Sequence, residues 1–274
     1  MSRTLLDKSK NEKKFFNKFV KTNHSQVPRE AFWKAYSENY VFESIKRFSE
    51  LAAYNRILEI GCGTCYYFSA FSSFKNEPFV IGADISVESL KKCNRNFKNF
   101  SFVLCSANHL PFIPNIFDGI LMISLLHHVS DYKLTLLELM QTVKLGGHLL
   151  IIDLTSTNLL INFARKIWFL LPHNFKDKIG DMQLDYDAPK KHAISQKKLI
   201  QYSEKIGAGI IRIEYLHLFV FTFNYLIKLI PSLSRIFSKK FLLSMYHLEK
   251  KLSRGILGAF CHVEVFFLKK QALN

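Results

Sequence analysis

Residues 56–68 decide the fold of this chain and read Arg-Ile-Leu-Glu-Ile-Gly-Cys-Gly-Thr-Cys-Tyr-Tyr-Phe. The apolar run that ends at Ile60 predicts a strand covered on both faces. Gly61 and Gly63 then remove Cβ atoms from the following turn, so that a ligand can approach the main chain. Thr64 is a candidate N-cap for a helix whose first amides would point at that ligand. The stretch therefore predicts a cofactor site between a strand and a helix.

A second apolar run, residues 79–84, ends in a carboxylate at Asp84, 21 positions after Gly63. A βαβ unit with this spacing places an acid at the end of its second strand, over the ribose of a nucleotide held at the first. Asp84 is therefore predicted to accept hydrogen bonds from both ribose hydroxyls. The alternative is that it caps the helix that begins near Ser86.

The pattern Glu59-x-Gly61-x-Gly63 resembles the first motif of the class I S-adenosylmethionine (SAM) dependent methyltransferases, acidic-x-Gly-x-Gly-x-Gly. Cys65 stands at the third glycine position. Three further motifs of that family match in the expected order: Ser-Ala-Asn-His-Leu-Pro-Phe at 106–112, a fourth strand with paired histidines at 117–129, and Lys-Leu-Gly-Gly at 144–147. The chain is most similar to the ubiquinone-type, type 11-like methyltransferases of small molecules.

The resemblance implies an α/β fold: a Rossmann-like seven-stranded sheet whose last strand is antiparallel. The fifth strand is expected at 148–154, and the last two at 209–215 and 261–268. Helical insertions are expected at about 155–193, after strand five, and at 216–258, between strands six and seven. Residues 1–29 are interpreted as a basic arm, and residues 30–274 as the methyltransferase domain. Its helical pattern at 30–52 either caps the cofactor pocket, as in the family, or packs on the sheet.

The cofactor implied by the resemblance is SAM. Where the family reads the adenine amine with an acidic residue, this chain has Ser106, so Asn108 or a backbone group is expected to take that role. The positions expected to bind the cofactor are Glu59, Gly61, Cys62, Gly63, Asp84, Ile85, Ala107, Asn108 and Ser124.

Methyl transfer needs a general base only if the acceptor is a hydroxyl or an enolisable carbon. Histidine suits such a role near neutral pH. The candidates are His128 after strand four, Asp153 at the end of strand five, and His192. Each of them can also serve as a structural hydrogen-bonding group, and His128 is the first choice.

The net charge of +16 is unevenly distributed over the 274 residues. Residues 30–154 carry 11 basic and 12 acidic side chains, whereas residues 1–29 carry 8 and 2, and residues 216–258 carry 7 and 1. The basic charge therefore belongs to the appendages and concerns what the protein docks against. No apolar run reaches the ~18 to 20 residues of a spanning helix, and residues 1–14 lack the apolar core of a secretory signal. A cytoplasmic protein is predicted.

The two insertions lie where α/β enzymes build the substrate side, so they should select the acceptor. A basic helix with an aromatic-rich apolar face is typical of an interfacial membrane segment. The residues with this pattern are Phe237, Phe241, Met245, Leu248 and Leu252, opposite Lys239, Lys240, Lys250 and Lys251. We therefore predict peripheral docking on an anionic membrane surface and an O or C atom of a hydrophobic or lipid-linked acceptor. The alternative is a helical lid over a soluble small molecule or sugar.

Five cysteines without disulfide-framework spacing are consistent with a reducing compartment. Cys62 and Cys65 form a C-x-x-C, but it lies inside the glycine turn and lacks a second pair. They are interpreted as small side chains in a tight loop, and no metal site is predicted.

Other functional classes of protein agree less well with these motifs. A nicotinamide-dependent dehydrogenase needs the third glycine for helix packing and would not explain the later motifs. Residues 124–127, Ser-Leu-Leu-His, lack the Asn/Asp-Pro-Pro-aromatic motif of base-amine methyltransferases, so no nucleic-acid partner is expected. A non-catalytic scaffold with this fold stays open, because a fold does not fix a function.

Overall fold

A computed structural model describes residues 40–154, 194–216, 239–253, 261 and 263–272. Predictions that concern residues 1–29, the insertion 155–193 with His192, and Phe237 lie outside the described residues. Over the part that is described, no helix combines the length and the apolar character needed to cross a membrane.

The centre of the fold is one sheet of seven strands: β1 (Arg56–Ile60), β2 (Phe79–Asp84), β3 (Ser101–Leu104), β4 (Phe117–Ile123), β5 (Val143–Leu154), β6 (Ala208–Leu216) and β7 (Val263–Lys270). Their order is β3-β2-β1-β4-β5-β7-β6. β7 runs antiparallel to β5 and β6, whereas the other neighbours are parallel. The predicted sheet with its antiparallel last strand is confirmed. Strand order reverses between β1 and β4, where α/β folds bind ligands at the carboxyl ends of the strands.

Alternate residues of the strands point into two separate apolar cores, one on each face of the sheet. Ile57 belongs to the first core, with Leu121 and Leu150, while Leu58 belongs to the second, with Ile120. All five side chains are almost completely buried. Because both faces are covered, the parallel strands read as continuous apolar runs, as the sequence predicted.

Six helices accompany the described part of the sheet. They are an α-helix that includes residues 40–49, a 3₁₀ helix at Phe68–Ser73, and α1 (Val87–Asn96), α2 (Tyr132–Thr142), α3 (Gln196–Lys205) and α4 (Lys239–Leu252). Three begin at side-chain N-caps, since Ser86, Asp131 and Ser195 each accept from backbone amides of the first turn. These caps fix where α1, α2 and α3 start.

The helix after the glycine turn differs from the prediction. Thr64 is not its N-cap, because the 3₁₀ helix begins at Phe68 after Tyr67, which makes no side-chain cap. Phe68, Phe71 and Phe74 recur every third residue, and consecutive rings lie 5.4 Å apart. A 3₁₀ helix has three residues per turn, so this spacing places all three rings on one buried face. With the 3.6-residue α period the same three rings would be spread over ~120° of the helix circumference.

Strand boundaries also differ from the prediction, and β7 (Val263–Lys270) lies two residues later than the expected 261–268. β5 begins at Val143 instead of residue 148, because Val143 pairs with Phe117 before a register shift in the β4–β5 ladder. The 40–49 helix packs on the sheet: Phe48 stacks on Tyr54 at 4.8 Å, and both rings cover Gly119. For the described part of the segment at 30–52, the sheet-packing alternative is therefore the one observed.

Candidate functional site

A cavity of about 300 Å³ opens at the carboxyl ends of β1, β2 and β4, where strand order reverses. Four segments build it: the turn after β1, the end of β2 with the start of α1, the loop after β3, and the loop after β4. Its lining residues are Ile60, Gly61, Gly63, Thr64, Asp84, Ile85, Ser89, Cys105, Ser106, Ala107, Asn108, Ser124, Leu125, His128 and Val129.

The glycine turn forms one wall of this cavity. The amides of Gly61 and Cys62 donate to the carbonyl oxygen of Ala83, at 2.7 and 3.1 Å. Gly61 has φ +71°, and a Cβ there would lie 2.7 Å from Leu125 Cδ2. Gly63 has φ +53°, and a Cβ there would meet no atom within 4 Å. The missing side chain at Gly63 therefore leaves open space beside the main chain, as a closely held ligand requires.

Asp84 ties the glycine turn to the start of α1. Its Oδ2 accepts from the amide of Gly63 at 2.9 Å and its Oδ1 from the amide of Ser86 at 2.8 Å. Burial raises the pKa of Asp84, and the amides of Ser86, Gly63 and Ile85 only partly offset this. A carboxylate has about four acceptor sites, so three amides leave Asp84 capacity for a further donor in the cavity. Ser86, and not Asp84, is the N-cap of α1.

Glu59 and Cys62 lie behind the wall, since neither lines the cavity formed by the described residues. Glu59 is 2% exposed, and its Oε2 has no hydrogen-bond partner among those residues. Burial, followed by the nearby Asp84, raises the pKa of Glu59 to about 8. Burial, then Glu59 and Asp84, also raises the pKa of Cys62. The Glu59 carboxyl and the Cys62 thiol are therefore both protonated at neutral pH, and both lie behind the residues that line the cavity.

The loop after β3 brings Ser106, Ala107 and Asn108 to the cavity. The side-chain oxygen of Asn108 accepts a short hydrogen bond from Thr135 of α2, and its amide donates to Ser130 Oγ at 2.9 Å. The Asn108 side chain thus anchors this loop to α2. That Asn108 or a backbone group of this loop reads the adenine amine stays a prediction.

The paired histidines after β4 have different environments. His128 lines the cavity, and its ring centroid lies 3.8 Å from that of His127. His127 is buried, with Nδ1 2.5 Å from Asp153 Oδ1, and Asp153 Oδ2 accepts from the amide of Leu126 at 2.6 Å. Asp153 therefore stabilises the loop after β4 through His127 and the amide of Leu126, and it does not line the cavity. Of the three candidate bases, the described structure brings only His128 to the site.

The cysteine interpretation was wrong for Cys65. Cys65 forms a disulfide with Cys93 of α1, and the Sγ atoms of Cys62, Cys65 and Cys93 all lie within 4.8 Å of one another. The partners are 28 residues apart, and only the packing of α1 beside the glycine turn brings them together. Sequence reasoning also missed Ser89 and Cys105, although their positions just after the ends of β2 and β3 were a usable signal.

The sequence matches one family model, described as "Methyltransferase domain", over residues 58–151. That range contains every described segment that lines the cavity. It begins inside β1 and ends inside β5.

Two curated relatives are each similar to part of this chain. The ubiquinone/menaquinone biosynthesis C-methyltransferase of Wigglesworthia glossinidia brevipalpis is 25% identical over 134 residues, 46% of this chain and 53% of the relative. A phthiotriol/phenolphthiotriol dimycocerosates methyltransferase of Mycobacterium ulcerans is 30% identical over 105 residues, 38% of this chain and 39% of the relative. The chain thus spans about half or less of the length of these relatives.

The fold is similar to that of a solved phosphoethanolamine N-methyltransferase 2 of Haemonchus contortus in complex with SAM. The TM-score is 0.56 at 17% identity, covering 94% of this chain and 60% of the other. At this identity the likeness concerns the fold.

The residues of the cavity fit SAM. Gly63 leaves open space beside the main chain that a Cβ would fill, and Asp84 keeps acceptor capacity for ribose hydroxyls. The motifs, the strand order and the matched family model agree on residues 58–151. Residues 58–151 of this chain therefore match a methyltransferase domain, and their motifs and strand order resemble those of the class I SAM-dependent methyltransferases.

Proposed function

We propose that this protein transfers the methyl group of SAM to an O or C atom of a small, hydrophobic acceptor. The observation that carries the proposal is the pairing of Gly63 with Asp84 at the point where strand order reverses. One residue leaves room for a ligand at the main chain, and the other presents carboxylate lone pairs beside it. Bound SAM supplies an electrophilic sulfonium methyl group, which a nucleophilic acceptor atom displaces in line.

The task of the chain is then mainly one of positioning. Holding the reacting atoms ~3 Å apart and aligned can lower a barrier by ~7 to 11 kcal/mol. Gly63, Thr64 and Ser89 belong to the turn after β1 and the start of α1, Ser106 belongs to the loop after β3, and all four line the cavity. These residues would bind the two ends of the nucleoside and fix where the methyl group points.

His128 is the proposed general base when the acceptor is a hydroxyl or an enolisable carbon. It lies on the cavity wall, next to the apolar Leu125 and Val129. Its backbone amide donates to the carbonyl oxygen of Leu125 at 2.8 Å, which fixes the turn that carries it. The His127–Asp153 pair beneath it holds the same loop, so both would act as positioning residues.

Calorimetry with SAM, its demethylated product and NAD tests the cofactor site. We expect the first two to bind and NAD not to bind. Asp84→Ala should weaken SAM binding by ~1 to 3 kcal/mol, the order expected for lost hydrogen bonds to a charged group. Asp118→Ala is a matched control, because Asp118 also accepts from two backbone amides, of Asn55 and Arg56. Equal SAM affinity in the parent and Asp84→Ala would remove Asp84 from the site.

The hydrophobic character of the acceptor is argued from the relatives and from the cavity. One relative is named for ubiquinone/menaquinone biosynthesis and the other for phthiotriol dimycocerosates. Leu125 and Val129 make the wall beside His128 apolar. The test is transfer of tritium from methyl-labelled SAM to the lipid fraction or the aqueous fraction of a cell extract, with His128→Ala beside the parent. Label in the aqueous fraction alone would contradict a hydrophobic acceptor.

Docking on an anionic membrane surface is the proposed route to such an acceptor. Each Lys or Arg near the surface contributes ~1 kcal/mol within a Debye length, so the basic appendages would suffice for reversible binding. Sedimentation with anionic vesicles at low and high salt should show salt-sensitive binding that Lys239→Glu/Lys240→Glu weakens. The control is Lys91→Glu/Lys92→Glu on α1, which makes the same charge change within residues 30–154.

The helical lid is the second candidate, and the packing of α4 favours it. Met245 packs against the first core, and Lys250 Nζ lies 2.7 Å from Glu43 Oε2 of the 40–49 helix. Part of the predicted apolar face is thus used within the domain, while Leu248 is 41% exposed. If the parent does not bind anionic vesicles at low salt, the lid over a soluble acceptor becomes the preferred function.

A further inference from the structure

The disulfide between Cys65 and Cys93 joins two walls of the cofactor cavity. Cys65 follows the cavity residues Gly63 and Thr64 on the glycine turn, and Cys93 lies on the buried face of α1 with the cavity residue Ser89. We propose that this disulfide controls the affinity of the site for SAM, so that the oxidised protein binds SAM more tightly than the reduced protein. The inference rests on the proposed use of SAM and adds redox regulation of the same site.

The backbone of the turn depends on the bond. Cys65 has φ +61°, in the left-handed region that disfavours residues with a Cβ. The family has a glycine there, which adopts this conformation without cost. In this chain the disulfide holds Cys65 in that conformation from outside the turn. Once the bond is broken, the turn loses this restraint and can relax away from the cavity.

The restraint reaches the residues that would contact SAM. Cys93 Sγ lies 3.3 Å from the carbonyl oxygen of Gly63, whose amide donates to Asp84. Cys65 and Cys93 are both fully buried, so two separate thiols would need room that the packed core does not offer. The side that can yield is the turn with its positive-φ residues Gly61, Gly63 and Cys65. Reduction should therefore disturb the cavity wall and leave the sheet intact.

The chemistry is thiol–disulfide exchange with a dithiol reductant. A thiolate of the reductant attacks one sulfur of the Cys65–Cys93 bond, which breaks and leaves a mixed disulfide. The second thiol of the reductant resolves it, so the two cysteines gain two electrons and two protons and the dithiol becomes a disulfide. Cys62 does not replace the external thiol, because burial and the nearby Glu59 and Asp84 raise its pKa and keep it protonated.

The test is calorimetry of SAM binding to the full chain, oxidised and after treatment with dithiothreitol. Alkylation and mass spectrometry count the free thiols in each sample. We expect reduction to weaken SAM binding about tenfold. Cys93→Ser should have the weaker affinity under both conditions. Cys261→Ser, which changes a buried cysteine outside the Cys65–Cys93 disulfide, should keep the redox response.

Cys65→Gly separates the backbone effect from a folding defect. This variant restores the glycine of the family, so it should bind SAM tightly. Its affinity for SAM should not change when dithiothreitol is added. Equal SAM affinity before and after verified reduction of the parent would overturn the inference and leave the proposed function standing. Absence of SAM binding in both states would overturn both, and absence of the disulfide in the oxidised sample would overturn the inference alone.

Linkage gives a second measurement that does not use affinity. If the oxidised form binds SAM tenfold more tightly, saturating SAM must make the disulfide harder to reduce by the same factor. A tenfold change corresponds to about 30 mV for this two-electron couple. Titration with a dithiothreitol redox buffer should therefore give a midpoint about 30 mV more negative with SAM. An unchanged midpoint would contradict the proposal.

Discussion

Replacing Glu59 by glutamine should make the stability of the protein less sensitive to rising pH. Glu59 is 2% exposed, at the end of β1 beneath the cofactor cavity, and burial with the nearby Asp84 raises its pKa from 4.5 to about 8. Its Oε2 has no hydrogen-bond partner among the described residues. The folded protein therefore favours the neutral carboxyl, whose shape glutamine reproduces without a titrating proton.

The sign of the effect follows from proton binding. Between pH 4.5 and about 8 the folded protein holds one proton more on Glu59 than the unfolded chain does. The free energy of unfolding therefore falls as pH rises, by ~1.4 kcal/mol per unit. The loss is ~1 kcal/mol at pH 5 and ~4 kcal/mol at pH 8, so Glu59→Gln should gain ~3 kcal/mol on the parent between these two values.

Denaturant unfolding of both proteins at pH 5, 6, 7 and 8, without cofactor, measures this difference. Asp118→Asn is the control. Burial raises the pKa of Asp118, but the Lys144 hydrogen bond and the amides of Arg56 and Asn55 outweigh it and lower the pKa below 3.8. Its stabilisation is therefore complete above that pH, and the Asp118→Asn deficit should be constant from pH 5 to 8. A constant Glu59→Gln difference over the same range would refute the reasoning about Glu59.

Three further substitutions should lower stability in thermal or denaturant unfolding. Gly82→Ala places a Cβ 2.8 Å from Phe68 Cζ and should cost ~1 to 3 kcal/mol through overpacking, which an unchanged midpoint would contradict. Ser195→Ala removes the hydrogen bond to the amide of Lys198 and should cost ~1 kcal/mol, whereas Ser195→Asp should retain most of the cap. Asp153→Asn disturbs the bonds from His127 and the amide of Leu126 and should cost ~1 to 3 kcal/mol, and parent-like stability would show that the pair is dispensable.

Local patterns predicted most of the sheet. The strands β1, β2 and β4 read as buried apolar runs because both faces are covered, and the resemblance implied the seven-stranded sheet that holds them. The errors concern elements that tertiary contacts decide. The 3₁₀ helix at Phe68–Ser73 is set by the aromatic packing of Phe68, which also contacts Phe102 of β3. The early start of β5 is set by the pairing of Val143 with Phe117.

In the candidate site, too, spacing along the sequence predicted some residues, whereas tertiary contacts decided others. Gly63 and Asp84 could be placed from spacing alone, because a βαβ unit fixes where its strand ends meet. The role of Asn108 could not, since Ser130 and Thr135, the partners that engage its side chain, lie 22 and 27 residues away in sequence. The sequence around Asn108 does not indicate that its side chain bonds to Ser130 and Thr135.

A non-catalytic scaffold stays open because a fold does not fix a function, and the two departures from the family motifs, Cys65 at the third glycine position and Ser106, bear on it. In Rossmann folds that glycine permits close packing between helix and strand. Here Cys65 keeps a positive φ, is fully buried, and is bonded to Cys93 of α1, so the close approach is retained by a covalent link. The scaffold alternative predicts a filled or distorted cavity beside the substituted residue. The cavity beside Gly63 is open instead, so the departure at Cys65 does not favour the scaffold over the enzyme.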